Sequence, residues 1–285
     1  MKKVYVRLVG GLGNQMFIYA FGLALSNDRS SQLVVDNISG FGSLGDEYKS
    51  EFALCSYNIK SELISNRFSK YFIANRFFWY VVKTFNISHT EKYSTAYAYR
   101  NIDNVNSIFY EGYWQSHMYF DKYKPLLKEK FDFKDKYNLS ISSYKSKILS
   151  SKNSVAIGMR FYEETPSTSS YYTVMNDDYY DRAIKILEKE IDRPVYFIFS
   201  TNIIRAKKIL SKYTSKDIVF INPVMSKKGA SLDLYLMSLC NNFIISNGTF
   251  YWWAAYLGEK KESIVIAPEK GFPNLDTLPI HWHKL

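Results

Sequence analysis

The order of apolar and polar positions predicts an α/β protein. Residues 4–9 form a short apolar run, residues 10–15 are rich in glycine, and residues 16–25 are almost wholly apolar. This order predicts a β-strand, a tight turn and a buried helix. A second strand is predicted at residues 32–36 and ends in Asp36, where open α/β sheets present groups to ligands. The amino-terminal part is therefore expected to form an α/β unit.

The same alternation restarts at residue 154, where apolar runs of strand length alternate with stretches of helical spacing. The predicted strands cover residues 154–159, 195–199, 218–221, 243–246 and 264–267, and the predicted helices cover residues 178–191, 202–213, 232–240 and 250–257. This order implies a parallel sheet with right-handed crossovers. We expect two Rossmann-like α/β lobes with a cleft between them, at residues 1–150 and 151–285.

Two stretches interrupt this alternation. Residues 60–101 are rich in Phe, Tyr, Arg and Lys and have a helical texture, so we interpret them as an inserted helical layer. Residues 136–152 are polar and rich in serine, which predicts either the passage between the lobes or a surface helix. The predicted lobe boundary at residue 150 depends on this second stretch.

Composition narrows the class of partner and compartment. The sequence has 37 Lys and Arg against 27 Asp and Glu, and the net charge of +10 favours a nucleotide diphosphate, an anionic lipid surface or a nucleic acid. We expect no nucleic acid, because the basic residues are dispersed and no helix-turn-helix, zinc or RNA-binding signature is present. The two cysteines, Cys55 and Cys240, are far apart, which predicts free thiols in a reducing compartment.

The glycine-rich run G-G-L-G-N-Q at residues 10–15 is the first candidate for chemistry. Missing Cβ atoms let backbone amides approach a ligand, and the start of a helix favours an anion. The run is neither the dinucleotide pattern G-x-G-x-x-G nor a P-loop. Its glycine spacing alone leaves a ligand site and a plain tight turn equally open.

The longer run G-G-L-G-N-Q-M-F-x-Y-A at residues 10–20 resembles the opening motif of bacterial α-1,2-fucosyltransferases, glycosyltransferase family 11. Further blocks follow in the family's order, namely E-G-Y-W-Q-S at residues 111–116, F-I-F-S at 197–200, D-L-Y-L-M-S-L-C at 233–240 and N-G-T-F-Y-W-W at 247–253. The resemblance implies a GT-B-like fold. It also implies an inverting, metal-independent transfer of L-fucose from GDP-fucose to a galactoside in O-antigen, capsule or another surface glycan.

The family's H-x-R-R-G-D motif, whose first arginine neutralises the β-phosphate of the donor, falls on residues 158–163. Arg160 keeps that first arginine, while Gly158, Phe161, Tyr162 and Glu163 replace the histidine, the second arginine, the glycine and the aspartate. A fixed guanidinium stabilises the charge that develops on a leaving nucleoside diphosphate. We therefore predict that Arg160 is catalytic. A surface or ion-pairing arginine is the alternative.

The resemblance also assigns donor-binding roles around the second half of the chain. Asn247, Thr249 and Phe250 fall on the family's N-S-S-F motif, and Thr249 is predicted to contact the diphosphate, to cap the following helix, or to do both. Asp233 matches an acidic residue that accepts hydrogen bonds from guanine in related fucosyltransferases. A plain helix N-cap is the alternative for Asp233.

Near the amino terminus, the resemblance places Gly11, Gly13, Asn14 and Gln15 in the donor site, with the last two orienting the donor sugar or the acceptor. An inverting transfer benefits from a carboxylate that accepts the proton of the acceptor hydroxyl. We predict Glu163 as this base. Glu164 and Asp36 are the other candidates, and an exposed loop acid is the alternative interpretation of Glu163.

Two departures from the family leave the donor open. Gly158 removes an imidazole, and Thr201 and Asn202 replace paired aspartates. A related deoxysugar nucleotide fits the same arginine and hydroxyl. A family member that binds nucleotide or glycan without catalysis is the remaining alternative.

No metal or other cofactor is expected. The four histidines are scattered, and no Cys or His ligand spacing appears. The run of Asn176, Asp177 and Asp178 imitates an Asp-x-Asp metal motif but is predicted to cap a helix. The pair Trp252 and Trp253 is expected to be mainly core, with sugar stacking as the alternative.

Membrane association is an open alternative. No window reaches the about 18 apolar residues of a membrane span, and Arg7 interrupts the amino-terminal run before it reaches signal-peptide length. Residues 70–83 contain many aromatic side chains together with basic ones, so they form either a core helix or a helix on an anionic surface. In the second case the oligosaccharide acceptor is lipid-linked. We expect a cytoplasmic protein, with peripheral contact to the inner face of the bacterial membrane as the variant.

Overall fold

The structure is a computed structural model. It describes residues 2–41, 50–64, 80–81, 84–85, 88–91, 108–134, 141–162, 174–222, 229–272 and 275–285. The chain divides into two compact units. The first contains Met1–Lys134 and Pro273–Leu278, and the second contains Asp135–Phe272 and Pro279–Leu285.

The first unit contains a parallel sheet of four strands in the order β2-β1-β4-β3. Its elements are β1 (Lys3–Arg7), α1 (Leu12–Asp28), β2 (Gln32–Asp36), β3 (Ser88–Thr90), β4 (Phe109–Glu111) and α2 (Lys124–Lys130). Helix α1 is apolar on all sides because it is buried along nearly its whole length. The predicted strand, turn, helix and second strand are confirmed.

The stretch predicted as a helical layer contains a strand. Ser88–Thr90 forms β3 and pairs with β4, and Lys60–Glu62 forms a 3₁₀ turn. Three residues are too few to show the alternation that marks a strand, so the pattern gave no signal. Residues 65–79, 82–83, 86–87 and 92–100 lie outside the described part of the chain. The stretch at residues 70–83, predicted to form either a core helix or a membrane-surface helix, falls mostly there.

The second unit contains a parallel sheet of six strands in the order β10-β9-β8-β5-β6-β7. The strands are β5 (Ser154–Met159), β6 (Val195–Ser200), β7 (Asp217–Phe220), β8 (Asn242–Ile244), β9 (Val265–Ala267) and β10 (His283–Lys284). The helices are α3 (Ser142–Ser150), α4 (Asp177–Glu190), α5 (Ile203–Leu210), α6 (Gly229–Ser238) and α7 (Thr249–Gly258). The five predicted strands are confirmed, and β10 adds a sixth.

The core of the second unit forms where α4 packs against the centre of the sheet. Tyr180, Ala183, Ile184 and Leu187 share one buried face of α4 and belong to the same cluster as the apolar side chains of β5 and β6. The Asn176 side chain accepts the Tyr179 N–H at 3.0 Å and caps the helix. The predicted capping role is therefore confirmed.

The lobe boundary differs from the predicted one. Helix α3 ends at Ser150, within the range predicted for the first lobe, but belongs to the second unit. Its Ile148 is buried, and the Nζ atom of Lys145 lies 5.5 Å from the ring centroid of Tyr235 on α6. The division falls near residue 134, and helix α3, which forms within this polar, serine-rich stretch, packs in the second unit.

Two further predictions have an outcome. Cys55 and Cys240 are both free, Cys55 being exposed and Cys240 buried. Burial raises the pKa of the Cys240 thiol. Within the described ranges, none of the helices combines the length and apolar character that a bilayer crossing requires.

Candidate active site

The glycine loop of the first unit joins β1 to α1. Gly10 has φ +71°, and a Cβ there would lie 2.7 Å from the Nδ2 atom of Asn14. A Cβ on Gly11, the residue before α1, would have no described atom within 4 Å. Gly13 is buried in the first turn of α1. The backbone therefore requires glycine at residue 10, whereas the loop is open at residue 11.

Gln15 fixes this loop from inside the unit. Its Nε2 atom donates to the carbonyl oxygens of Gly10 at 2.7 Å and Glu51 at 2.8 Å, and its Oε1 atom accepts the Ala53 N–H at 2.8 Å. The side chain is fully buried. Gln15 therefore supports the loop through the neighbouring segment. Its direct contact with donor sugar or acceptor stays a prediction.

Asn14 is joined to the block at residues 111–116. The Nε2 atom of Gln115 donates to the Oδ1 atom of Asn14 at 3.0 Å, and the Gln115 carbonyl accepts the Thr277 hydroxyl at 2.6 Å. Two motifs that are a hundred residues apart in sequence thus meet in one unit. Gln115 was part of a recognised block, but the sequence analysis did not assign it to the site.

Arg7 and Asp36, at the carboxyl edge of the first sheet, form hydrogen bonds with neighbouring residues of the same unit. Arg7 contacts Glu111 at 3.1 Å and donates to the hydroxyl and carbonyl oxygens of Ser39 at 2.9 and 2.8 Å. Asp36 accepts hydrogen bonds from the Ile38 N–H, the Ser39 N–H and the Ser39 hydroxyl. Burial raises the pKa of Asp36, which is 1% exposed. The contacts of Asp36 therefore fit a turn-forming role better than that of a base.

Glu91 is a residue that the sequence analysis missed. One carboxylate oxygen accepts the N–H groups of Tyr113 at 2.8 Å and Trp114 at 2.7 Å, and burial raises the pKa of this carboxyl. Trp114 has φ +53°, which is strained for a residue other than glycine, and the carboxylate holds the turn in this conformation. This turn leads directly to Gln115. Glu91 therefore positions the segment that contacts Asn14.

Arg160 lies at the carboxyl end of β5 in the second unit. It is half-buried, and its Cζ atom is 5.0 Å from the ring centroid of Tyr162. The Tyr162 hydroxyl donates to the carbonyl of Asn247, which precedes α7. Tyr162 has φ +54°, a conformation that suits the glycine of the family motif and costs another residue about 1 kcal/mol. The ring of Tyr162 is therefore held beside Arg160 by a residue with a strained backbone conformation.

The position of the family's histidine is filled from another element. A Cβ on Gly158 would lie 2.3 Å from the Cδ1 atom of Tyr251 on α7. The Tyr251 hydroxyl donates to the Met159 carbonyl at 3.2 Å, and the residue is buried. The loss of the histidine side chain therefore leaves room for an aromatic ring against the backbone of β5.

The helix starts of the second unit correct two predictions. Gly248 is the N-cap residue of α7 and Thr249 is its first helical residue, so the cap predicted at Thr249 is displaced by one position. Asp233 lies inside α6, which begins at Gly229, so the N-cap alternative for Asp233 is wrong. Asp233 is half-buried. The roles of Thr249 and Asp233 in donor binding stay predictions.

The remaining candidates are placed as follows. Asn247 is buried beside Gly271, whereas Phe250 is half-buried with its ring centroid 5.2 Å from that of Tyr251. Trp252 and Trp253 are fully buried, so the prediction that they are core is confirmed. Glu163 and Glu164 lie outside the described residues.

The described residues hold no group of three or more His, Cys, Asp or Glu side chains arranged for a metal ion. Residues 163–173, which include the predicted base Glu163, are not among the described residues. Independence from metal stays a prediction for both units.

Known proteins resemble the chain over nearly its whole length. A family model described as Glycosyl transferase family 11 matches residues 3–275. An α-1,2-colitosyltransferase from Escherichia coli is 28% identical over 302 residues, covering 100% of this chain and 99% of that one. The O-antigen biosynthesis glycosyltransferase WbnK, also from Escherichia coli, is 26% identical over 291 residues, covering 94% and 95% of the two chains.

A solved structure supports the architecture. A mutant of Arabidopsis thaliana FUT1 in complex with GDP has a TM-score of 0.53 and 18% identity, covering 95% of this chain and 72% of that chain. At this identity the likeness concerns the fold alone. It agrees with the two parallel sheets described above and confirms the GT-B-like α/β class.

Proposed function

The chain belongs to glycosyltransferase family 11, and we propose that it is an inverting enzyme that moves L-fucose from GDP-fucose to a galactoside hydroxyl in an α-1,2 linkage. The proposed acceptor is an oligosaccharide of a surface glycan such as O-antigen, since one relative is named for O-antigen biosynthesis. A lipid-linked acceptor and contact with the inner membrane face are further parts of this proposal.

The observation that carries the proposal is the setting of Arg160. Strands β5 and β8 are neighbours, with Ile157 paired to Ile244, so the residues after both strands lie at one carboxyl edge. Ligands bind at this edge in open parallel sheets. Arg160 follows β5, and the start of α7 at Thr249 follows β8. A guanidinium and a helix start thus lie at one edge of the sheet, and both are groups that bind anions in proteins.

The chemistry proceeds as a single displacement. The acceptor oxygen attacks the anomeric carbon, the bond from that carbon to the β-phosphate oxygen breaks, and the anomeric centre inverts. The leaving GDP gains one negative charge, which Arg160 stabilises. The proton of the acceptor hydroxyl passes to a carboxylate, for which we propose Glu163.

Guanine recognition is assigned to Asp233. Guanine presents two adjacent N–H donors, which a carboxylate accepts with both oxygens. Inosine diphosphate lacks the exocyclic amino group and therefore offers one donor fewer. We expect wild-type protein to bind inosine diphosphate at least about 10-fold more weakly than GDP, and Asp233→Asn to lose most of this difference.

Colitose is a second candidate donor sugar, and a specific observation favours it. The relative named as an α-1,2-colitosyltransferase matches this chain from end to end. Colitose is the 3-deoxy analogue of fucose. A site that hydrogen-bonds a sugar hydroxyl strongly rejects an analogue without it, so the two donors should differ widely in kcat/KM. The departures at Gly158, Thr201 and Asn202 fall in the unit proposed to bind the donor.

The first test is calorimetric titration with GDP, UDP, dTDP and CMP, in EDTA and then in Mg²⁺. We expect GDP to bind most tightly, and to bind equally well in EDTA. Preference for another nucleotide would overturn the GDP donor, and a requirement for Mg²⁺ would overturn metal independence. GDP binding without any transfer or hydrolysis of either donor sugar would identify a binding protein instead of an enzyme.

A further inference from the structure

A second guanidinium group, that of Arg205, lies at the same edge of the sheet as Arg160. Arg205 lies outside the stretch at residues 158–163 that matches the family's H-x-R-R-G-D motif. Arg205 is exposed in the first turn of α5, and its backbone N–H donates to the side chain of the N-cap residue Asn202 at 2.9 Å. Its Cζ atom is 4.5 Å from the ring centroid of Phe161. Arg205 was not among the site residues predicted from the sequence.

The topology brings Arg160 and Arg205 to neighbouring strand ends. Strands β5 and β6 are paired, with Met159 opposite Ser200. Beyond this pair the Thr201 N–H donates to the Met159 carbonyl at 3.2 Å, and the Phe161 N–H donates to the Thr201 hydroxyl at 3.3 Å. The two chain segments therefore stay joined past the end of the sheet. The two guanidinium groups face consecutive rings, Arg160 facing Tyr162 and Arg205 facing Phe161.

Phe161 explains how Arg205 is oriented. Residue 161 is an arginine in the family motif, whereas Phe161 is 2% exposed and cannot offer a polar group. A buried aromatic ring provides a flat support on which a guanidinium stacks through its face, while the N–H groups lie at the edge of the guanidinium plane. The cation missing at residue 161 is thus replaced in space by one from α5.

We propose that Arg205 binds the diphosphate of the nucleotide sugar as a second cation beside Arg160. This inference rests on the proposed function, since it assumes a nucleoside diphosphate donor. A diphosphate carries more than one negative charge, and its charge grows as the sugar leaves. A metal-independent site must neutralise that charge with protein cations, and two guanidinium groups do so better than one.

The test compares GDP, GMP and guanosine by calorimetry on wild-type protein, Arg205→Ala and Lys208→Ala. Lys208 is an exposed cation on the same helix, one turn nearer its carboxyl end, so its removal controls for net charge. We expect Arg205→Ala to weaken GDP binding at least about 10-fold, GMP binding less, and guanosine binding not at all. Lys208→Ala should stay within about twofold of wild type for all three ligands.

Two outcomes would overturn the role of Arg205. One is GDP binding by Arg205→Ala as tight as that of wild type. The other is an equal loss for guanosine together with a lower melting temperature, which would indicate a structural role in covering Phe161. Arg205→Lys should recover part of the GDP affinity, because it keeps the charge but not the planar fork.

Failure of the donor assignment gives a different pattern. If wild-type protein prefers UDP or dTDP, the assignment of a GDP-sugar donor is wrong. The proposal for Arg205 is then tested by the same series of variants with that diphosphate, its monophosphate and its nucleoside. If wild-type protein binds no nucleoside diphosphate, both proposals fall. Phe161→Leu supplies an independent check, since loss of the ring should weaken GDP binding less than Arg205→Ala and should add little to it in the double variant.

Discussion

The charged residues at the carboxyl edges of the two sheets make different contacts. In the first unit, Arg7 is paired with Glu111, and Asp36 is held by the turn that follows it. In the second unit, Arg160 and Arg205 face aromatic rings, which orient a guanidinium without cancelling its charge. The printed contacts of the first edge join its charged side chains to one another and to a turn, whereas those of the second edge place guanidinium groups on aromatic rings. We propose the anionic donor for the second unit and the neutral acceptor sugar for the first.

The largest expected effect comes from removing the central cation of the second edge. We expect Arg160→Ala to lower kcat/KM by about 1000-fold or more, because the charge of the leaving diphosphate loses its main partner. Arg193→Ala is the matched control, since the Arg193 side chain is 92% exposed and paired with its neighbour Asp192. Steady-state kinetics on folded protein checks both. A near-normal rate for Arg160→Ala would contradict the proposal that Arg160 at the second edge stabilises the leaving diphosphate.

The first edge should respond in stability more than in nucleotide affinity. Gln15→Leu keeps the approximate volume but leaves the Gly10 and Glu51 carbonyls and the Ala53 N–H without their partner. We expect the free energy of unfolding in urea to fall by about 3 kcal/mol.

The control for Gln15→Leu is Gln32→Leu, at an exposed position of β2, which should change little. The dissociation constant for GDP should stay within about twofold of wild type for both variants, since the nucleotide is assigned to the other unit. A selective loss of GDP affinity in folded Gln15→Leu would place the nucleotide on the first unit instead.

A matched pair of glycine substitutions sharpens the contrast in packing. Gly158→Ala would place its Cβ 2.3 Å from the Tyr251 ring, whereas Gly11→Ala would contact no described atom within 4 Å. We expect Gly158→Ala to destabilise the protein by about 1–3 kcal/mol, and Gly11→Ala to change stability by less than about 0.5 kcal/mol. Thermal unfolding measures both. Equal stability of the two variants would contradict the account of Tyr251 as the group that replaces the histidine.

The smallest expected effect concerns pH. Burial raises the pKa of Asp36 above the ordinary value of about 3.9. The native state then binds more protons than the unfolded state, so this group lowers stability as pH rises from about 3.9 through its native pKa. Asp36→Asn should flatten the pH dependence of the unfolding free energy in that window. An unchanged pH profile would mean that Asp36 titrates normally.

The strands of the second unit were predictable because they are buried on both faces. Every residue of β5 is buried, and such strands are written as continuous apolar runs. Strand β3 has three residues and β10 has two, and their side chains are partly or fully exposed, so they leave no pattern to recognise. The predicted start of α7 was one residue too late, and that of α6 was three residues too late. Helix starts are weakly marked in sequence.

The candidate site was only partly predictable for a related reason. Arg160 was found from one motif and Asn14 and Gln15 from another, which marks the join between β1 and α1; the structure places both residues in the first turn of α1. The contacts of Arg205 with Phe161 and of Glu91 with Trp114 join residues that are distant in sequence. A single sequence contains no record of such pairs. Recognising that a lost arginine had been replaced from another element required the fold.

The central claim is that the chain transfers a GDP-activated deoxysugar without a metal ion. The most direct measurement is incubation of the purified protein with GDP-fucose or GDP-colitose and a galactoside acceptor in EDTA, followed by mass spectrometry and NMR of the product. We predict release of GDP and one added deoxysugar in an α-1,2 linkage, with a clear preference for one donor. Absence of transfer and of hydrolysis with both donors, in protein that binds GDP, would contradict the account.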